Sequence, residues 1–410
     1  MPHLFERLTG RESDPVEAGN GVRHIMALSL SKTADGLINP KLVLSWLLGV
    51  LGVPAAFIGM LVPIREAGAL LPQVLMAGYL QSMRERRWVW VLGSTGQGIA
   101  ALLIAGVALV VEGWAAGLAV CLILVGLAIS RAACSVSYKD ILGKTVGQAR
   151  RGAVTGSAGS VASGVVFIFA LLLVTGVLQT KTSVIGAIAV AGVMWLLAAL
   201  TLAQLREEDS ETDGPADVSS YWRILREDVN LRRYIMVRGL LVSTALAPPY
   251  LVVLGTQAGS TALGMLGALV LASSAAGFIS AYVWGWMADR SSRLMLLLAG
   301  VLGALTMAAA MGAHLAEMTG EIWVIPTILF GLMVAYHGVR QARSTYLVDI
   351  SPQDRRSVNA AVANTLIGVI LLLSGLLGGA LTWIGPLGAL SCFTVMSLTG
   401  GFMALSLKPV

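Results

Sequence analysis

Charged side chains are scarce in this chain of 410 residues. Asp, Glu, Lys and Arg make up 12% of it, hydrophobic residues make up 56%, and the mean hydropathy is +0.81. A soluble domain carries about 25% charged residues, so this chain lacks the polar side chains needed to cover a water-facing surface. Its only long polar stretches, 1–22 and 206–233, are too short to fold as soluble domains. The composition predicts a polytopic membrane protein.

Residue patterns that carry catalysis or bind metals are missing too. The three cysteines, Cys121, Cys134 and Cys392, lie in apolar segments and show neither disulfide nor metal-ligand spacing. The sequence also lacks a phosphate-binding loop, a transition-metal cluster and a nucleophile triad. We therefore expect neither an enzyme nor an ATP-driven transporter, and no cofactor.

Signals for secretion and for nucleic-acid binding are also missing. No apolar signal segment lies near Met1, and no Asn-x-Ser/Thr site occurs. The short loops and the missing glycosylation site favour a bacterial inner membrane. The net charge of +6 is spread over loops and apolar segments, so no nucleic-acid partner is expected.

What the chain does contain is a series of apolar segments that can each cross a bilayer, for which about 20 residues suffice. We number twelve of them as helices 1 to 12: 23–47, 54–80, 88–111, 115–142, 152–178, 182–205, 232–255, 261–288, 293–313, 322–347, 357–381 and 385–407. If the odd-numbered connections lie outside, they hold one cation, Lys181, whereas the even-numbered connections and both termini hold nineteen. The positive-inside rule then predicts that both termini are cytoplasmic.

The segments form two sets of six that echo each other. This arrangement predicts a cytoplasmic tail at 1–22, a six-helix bundle at 23–205, a cytoplasmic linker at 206–231 and a second bundle at 232–410. Helix 4 ends in SYKDILGKTVGQARRGAV and helix 10 in TYLVDISPQDRRSVNA. The loops after helices 2 and 8 correspond as well, with GYLQSMRERR and GWMADRSSR.

The stretch GWMADRSSR resembles the loop motif of the major facilitator superfamily. Together with the six-plus-six arrangement, the resemblance covers nearly the whole chain. It implies an all-α membrane protein in which two pseudo-symmetric six-helix bundles rock around a central site. It also implies that Gly285, Asp289 and Arg290 help to close the cytoplasmic side. The first half departs from the motif, because Ser82 replaces its aspartate and Glu85 stands where glycine is usual.

Charges within the apolar segments are the strongest functional signal, because one at mid-bilayer costs at least about 2.5–3.5 kcal/mol. Eight cations lie within or beside the helices: Lys32, Lys41, Arg65, Arg131, Lys139, Arg238, Arg340 and Arg343. Four acids join them: Asp35, Glu66, Asp140 and Asp349. In low dielectric, such an excess of positive charge favours an anion, and arginine suits carboxylate or phosphate.

Spacing indicates which of these groups converge. Lys32 and Asp35 are three residues apart and share a helix face. Arg65 and Glu66 are adjacent and point about 100° apart, so each should reach a neighbouring helix or the cavity. The resemblance implies that helices 1, 4, 7 and 10 line the cavity, and each of them carries a cation.

We therefore assign candidate roles as follows. Substrate binding is assigned to Lys32, Arg65, Arg131, Arg238, Arg340 and Arg343, and proton coupling to Asp35, Glu66 and His337. Structural alternatives stay open: interhelical pairing for the buried charges, an outer-interface position for Lys41, snorkelling for Arg238, and a core role for His337.

The sequence favours a secondary active transporter of a small organic or phosphorylated anion, coupled to protons and monomeric. Two other functions stay open. One is the efflux of amphipathic drugs or lipids, and the other is a non-transporting assembly or sensing protein on the same fold.

Overall fold

The computed structural model describes residues 14–81, 83–175, 178, 180–207, 225–257, 262–288, 291–350 and 356–408. These residues are almost all helical, and no strand occurs among them. Most of the predicted tail and most of the predicted linker lie outside the described residues.

The first six helices follow the predicted segments, with two interruptions. Helix 1 consists of Pro15–Leu37 and Val43–Val50, and helix 2 of Ala55–Leu70 and Gln73–Gln81. Helices 3 to 6 are Arg87–Val110, Gly113–Thr145, Gln148–Val174 and Lys181–Ala203. Helix 1 begins at Pro15 rather than at 23, because the Asp14 side chain caps it by accepting a hydrogen bond from the Val16 N–H.

The second half repeats this arrangement. Helix 7 consists of Val229–Leu241, Ser243–Leu246 and Pro248–Gln257. Helices 8 to 12 are Ala262–Ala288, Ser292–Leu315, Val324–Ile350, Arg356–Leu381 and Pro386–Met403. The predicted all-α polytopic fold of two six-helix halves is confirmed.

Nine helical stretches in the described part of the chain are long and apolar enough to span a membrane. Helices 1, 2 and 10 are outside this set.

Proline explains where helices 1 and 7 are interrupted, since it donates no backbone hydrogen bond and disfavours helix at the preceding residue. Pro40 follows Asn39 in the break of helix 1, where the Lys41 N–H is satisfied by Asn39 Oδ1 at 2.9 Å. Pro248 and Pro249 begin the last part of helix 7. The break in helix 1 places Lys41 at a bend rather than on a regular helix face.

Glycines allow an equivalent close helix crossing in each half. A Cβ added to Gly98 of helix 3 would lie 2.8 Å from the Gly192 carbonyl oxygen of helix 6. In the second half, a Cβ on Gly300 of helix 9 would lie 2.6 Å from Gly401 Cα of helix 12. Helices 3 and 6 correspond to helices 9 and 12, so the same close crossing is built twice.

The helix ends define two faces of the molecule. At the terminal face, helices 1 and 7 begin and helices 6 and 12 end, and the opposite face lies at the other end of the helices. At the terminal face, Asn20 exchanges hydrogen bonds with the Arg206 backbone, and the Tyr346 hydroxyl donates to the Lys408 carbonyl. At the opposite face, Lys181 Nζ lies 2.8 Å from Glu112 Oε1.

The two halves pack tightly towards the opposite face. A Cβ added to Gly375 of helix 11 would overlap Pro63 of helix 2, at 2.0 Å from its Cγ. A Cβ on Gly267 of helix 8 would lie 2.6 Å from the Val174 nitrogen of helix 5. The space between the halves therefore narrows towards the opposite face.

Candidate substrate site

Asp35 lies between two arginines from neighbouring helices. Its Oδ1 accepts a hydrogen bond from Arg65 Nη2 of helix 2, and its Oδ2 forms an ion pair with Arg131 Nη1 of helix 4, each at 2.7 Å. Lys32, three residues earlier on helix 1, donates instead to the Thr155 carbonyl of helix 5 at 3.1 Å. One carboxylate thus compensates two guanidinium groups across three helices.

Glu66 points away from Arg65 towards the break in helix 1. Glu66 Oε1 lies 3.5 Å from Lys41 Nζ, and the Lys41 side chain is 7% exposed. The alternative that Lys41 reaches the outer interface is wrong, because the bend at Pro40 directs it inwards. Sequence spacing did not reveal this pair, since its members are 25 residues apart on an irregular path.

Lys41 also links the two halves of the molecule. Its Nζ lies 3.6 Å from the ring centroid of Tyr336 on helix 10, a cation–π geometry. Tyr336 was absent from the candidate residues. Its only sequence signal is its position four residues before Arg340, on the same face of helix 10.

Arg238 of helix 7 is buried and forms a second link between the halves. Its Nη1 donates to Asn364 Oδ1 of helix 11 at 3.0 Å, and Asn364 Nδ2 donates to Gln73 Oε1 of helix 2 at 3.3 Å. The alternative that Arg238 snorkels to the surface is therefore wrong. Asn364 was not predicted, because a single amide in an apolar helix carries little sequence signal.

A pocket opens among these groups, and about 380 Å³ of empty space, open solvent included, lies within it. Its polar lining comes from Glu66, Arg238, Tyr336, Arg340 and Arg343, together with Thr244. Its apolar lining consists of Leu241, Val242, Ala245, Val339 and Leu371. Both halves contribute, with Glu66 from the first half and helices 7, 10 and 11 from the second.

Charged side chains of the first half lie within electrostatic reach of this pocket. Lys32 is within electrostatic reach of both Arg131 and Arg340, and Glu66 is within reach of Arg65, Arg340 and Arg343. The cluster around Asp35 and the pocket on helix 10 therefore form one continuous charged site.

Comparison with known proteins identifies the family. The sequence model of the Major Facilitator Superfamily matches residues 25–339. The chain belongs to this superfamily. By family membership it is a membrane transporter. No curated protein sequence matches the chain.

Three solved transporter structures share the fold of this superfamily member. A mutant of the nucleoside transporter NupG aligns with a TM-score of 0.72 at 11% identity, over 94% of this chain and 99% of its own. The D-xylose-proton symporter gives 0.71 at 12% identity, over 95% and 98%. A POT family transporter in complex with a thioalcohol-conjugated peptide gives 0.70 at 10% identity, over 94% of each chain. At these identities the likeness establishes the fold alone.

The described part of the superfamily loop motif, 285–288 and 291–293, lies at the terminal face. Gly285 belongs to helix 8, whereas Asp289 and Arg290 lie outside the described residues, so their closing role stays a prediction. In the first half, Glu207 Oε1 and Oε2 accept the Arg86 and Arg87 backbone N–H groups at 3.2 and 2.8 Å. Arg86 also pairs with Asp140. These contacts join the first bundle to the start of the linker.

Glu85 completes this loop network. Its Oε2 accepts a hydrogen bond from Trp88 Nε1 at 2.7 Å, and its Oε1 contacts Arg87 Nη2 at 2.8 Å. These hydrogen bonds, that from Trp88 foremost, hold the pKa of Glu85 below its usual value. The glutamate that replaces the motif glycine thus helps to fix the loop after helix 2.

His337 faces away from the pocket lining. A Cβ added to Gly277 of helix 8 would lie 3.4 Å from His337 Nε2, so the imidazole packs against helix 8. Its ring meets the Tyr336 ring edge to face, with centroids 5.3 Å apart. The structure brings eight of the nine predicted substrate and proton groups into one site and leaves His337 beside it.

Carboxylates do not compensate all cations of this site. Asp35 serves Arg65 and Arg131, and Glu66 serves Lys41. The other four cations have no carboxylate within ion-pair distance in the described part of the chain: Lys32, Arg238, Arg340 and Arg343. The described residues likewise contain no group of three metal-ligating side chains.

Proposed function

We propose that the protein is a secondary active transporter that moves a small organic or phosphorylated anion by alternating access, coupled to protons. The observation that carries this proposal is the set of four cations, Lys32, Arg238, Arg340 and Arg343, that surround the site without a carboxylate partner. A cation in low dielectric is costly unless an anion accompanies it. A bound substrate anion supplies that missing charge.

The chemistry of the lining supports an anion rather than a neutral solute. Guanidinium groups present paired donors that match carboxylate or phosphate oxygens. Three of them, Arg238, Arg340 and Arg343, line the same pocket. The structural pairing of Arg65 and Arg131 with Asp35 leaves these three arginines for the substrate.

Asp35 and Glu66 are the groups that we propose for proton coupling. A proton on Asp35 would cancel the charge that compensates both Arg65 and Arg131 and would leave them available to the substrate. A proton on Glu66 would act in the same way on Lys41. Proton binding and anion binding then favour each other. His337, beside Tyr336, is a further candidate for passing the proton.

Alternating access would require the two bundles to rock around this site. We propose that the protein is monomeric and lies in a bacterial inner membrane with its terminal face in the cytoplasm. In this orientation, Gly285, Asp289 and Arg290 would help to close the cytoplasmic side. The linker would then join the bundles on the same side.

Ligand-induced thermal stabilisation of the purified chain tests the proposal, because a ligand that binds the folded state raises its apparent stability. The panel contains organic anions, sugar phosphates, lipids and cationic drugs. We expect anions to stabilise the protein, and Arg340→Gln to remove both this shift and uptake of the same anion into proteoliposomes.

Other outcomes would point elsewhere. Stabilisation by lipids or hydrophobic cations alone would favour efflux of amphipathic compounds. Stable co-purification of a partner without flux in liposomes would favour an assembly or sensing role. Unchanged anion transport in both Arg131→Gln and Arg340→Gln would contradict the proposed site.

A further inference from the structure

The net charge of the pocket indicates how many negative charges its ligand carries. Arg238, Arg340 and Arg343 contribute three positive charges to the lining, and Glu66 contributes the one carboxylate among the described lining residues. Lys41 already contacts that carboxylate from outside the lining, at 3.5 Å. At least two positive charges of the pocket are therefore left without compensation.

The positive charges of the three arginines are concentrated in one part of the pocket. Arg343 is within electrostatic reach of Arg238, and both Arg340 and Arg343 are within reach of Glu66. Like charges so close repel one another, and a ligand with a single negative charge would relieve only part of this repulsion. A dianion offers enough charge and enough acceptor oxygens for several guanidinium groups.

We infer that the substrate carries at least two negative charges, as a phosphate monoester or a dicarboxylate does, and binds them between Arg238, Arg340 and Arg343. This inference rests on the proposed anion transport and narrows it. Burial orders the three groups from the buried Arg238 through the half-buried Arg343 to the exposed Arg340. The anion would therefore meet Arg340 first.

The apolar part of the pocket lining indicates the rest of the ligand. Leu241, Val242, Val339 and Leu371 present apolar surface next to the arginines. Such a wall suits a hydrocarbon or ring that carries the dianionic group at one end. Phenyl phosphate and benzoate are therefore a suitable pair of probes, because they share the ring and differ in the charge of the anionic group.

The experiment compares dianions with monoanions at constant ionic strength on the full chain in detergent. Thermal stabilisation is titrated with phenyl phosphate against benzoate, and with succinate against butyrate. We expect half-maximal stabilisation at a concentration at least about tenfold lower for each dianion, given the extra charge-assisted bonds. The two pairs also tell phosphate from dicarboxylate recognition.

Variants locate the effect. Arg340→Gln and Arg343→Gln should remove the preference for dianions, and Arg340→Lys should restore only part of it, because lysine keeps the charge but loses the paired donors. Lys181→Gln is the matched control. It also removes one positive charge, but from an exposed pair with Glu112 at the opposite face, and it should leave the preference unchanged.

The pH supplies an independent readout. A phosphate monoester loses its second proton with a pKa of roughly 6 and is a dianion above that pH. Stabilisation by phenyl phosphate should therefore grow between about pH 5 and about pH 8, whereas stabilisation by benzoate should not. Equal potency of monoanions and dianions would overturn the inference and leave anion transport standing. Failure of every anion in the wild-type chain would overturn both.

Discussion

At the scale of single residues, Asp35 is the carboxylate that pairs with two arginines of the site. Its two oxygens are both engaged at 2.7 Å, one by Arg65 and one by Arg131. Removing one member of a partly buried ion-pair network leaves the other charges uncompensated. Asp35 therefore holds this network together, and it is one of the residues that we propose for proton coupling.

The variant Asp35→Asn is expected to uncouple anion binding from pH. The amide keeps the size of the side chain but frees Arg65 and Arg131 at every pH. Anion-induced stabilisation should therefore persist and lose the part of its pH dependence that comes from Asp35, while the part from Glu66 remains. Uptake driven by a proton gradient should fall by at least about tenfold, in the range typical of lost proton transfer.

Uptake and thermal stabilisation, each measured across pH for wild type and Asp35→Asn, check this prediction. Succinate serves as the probe above the pH at which it is fully ionised. Glu112→Gln, which alters a carboxylate at the opposite face, is the control and should behave as wild type. Proton-driven uptake that survives intact in Asp35→Asn would remove Asp35 from the coupling mechanism.

At the scale of elements, the helix pairs depend on glycines at their crossings. Helix 9 offers a matched comparison, because a Cβ would clash at Gly300 but would meet nothing within 4 Å at Gly312. The nearest atoms to a Cβ on Gly300 belong to the Gly401 backbone, which cannot rotate away as a flexible side chain can. The same residue type thus has different roles on one helix.

Gly300→Ala is expected to destabilise the fold by about 1–3 kcal/mol, the usual cost of overpacking. Gly312→Ala should be neutral or stabilising by up to about 1 kcal/mol, because alanine favours helix over glycine. Thermal unfolding of the two variants beside wild type checks this contrast. Equal effects of the two substitutions would show that the crossing of helices 9 and 12 tolerates separation.

At the scale of the whole molecule, two polar links connect the halves across the site. One runs from Glu66 through Lys41 to the Tyr336 ring, and the other from Arg238 through Asn364 to Gln73. Each link includes a cation of the charged cluster. Ligand binding and movement of the halves therefore act on some of the same side chains, which is a physical basis for coupling them.

The link through Lys41 can be tested with a double-mutant cycle. Lys41→Met and Tyr336→Leu should each favour opening at the opposite face by a few-fold, consistent with about 0.5–2 kcal/mol for a cation–π contact. The double variant should open little further than either single variant. Tyr336→Phe keeps the ring and should stay close to wild type.

The measurement is the labelling rate of a cysteine placed at Thr256, which lies beside Gly49 where the halves meet. The native Cys121, Cys134 and Cys392 are replaced first, so that only the introduced thiol reacts. Strictly additive effects of Lys41→Met and Tyr336→Leu would mean that the two residues do not act through a shared contact.

The sequence alone predicted the architecture well, because a membrane-spanning helix requires a long apolar segment that is visible in the composition. Long apolar segments must be helical to satisfy their backbone, and cations must cluster on one side. The same reasoning marked Asp35, Arg65, Glu66 and Arg340 as unusual, since a charge in an apolar segment is conspicuous. It missed Tyr336 and Asn364, because uncharged polar residues are common in such helices.

What the sequence by itself determined is therefore the membrane class, the helices, the repeat and the presence of surplus positive charge. Only the tertiary structure decided which charges meet. The bend at Pro40 turned Lys41 from a suspected interface residue into a buried partner of Glu66. Helix neighbours brought Asp35 to two arginines from other helices. Pairing depends on the crossing and rotation of helices far apart in the chain, and spacing within one helix does not encode either.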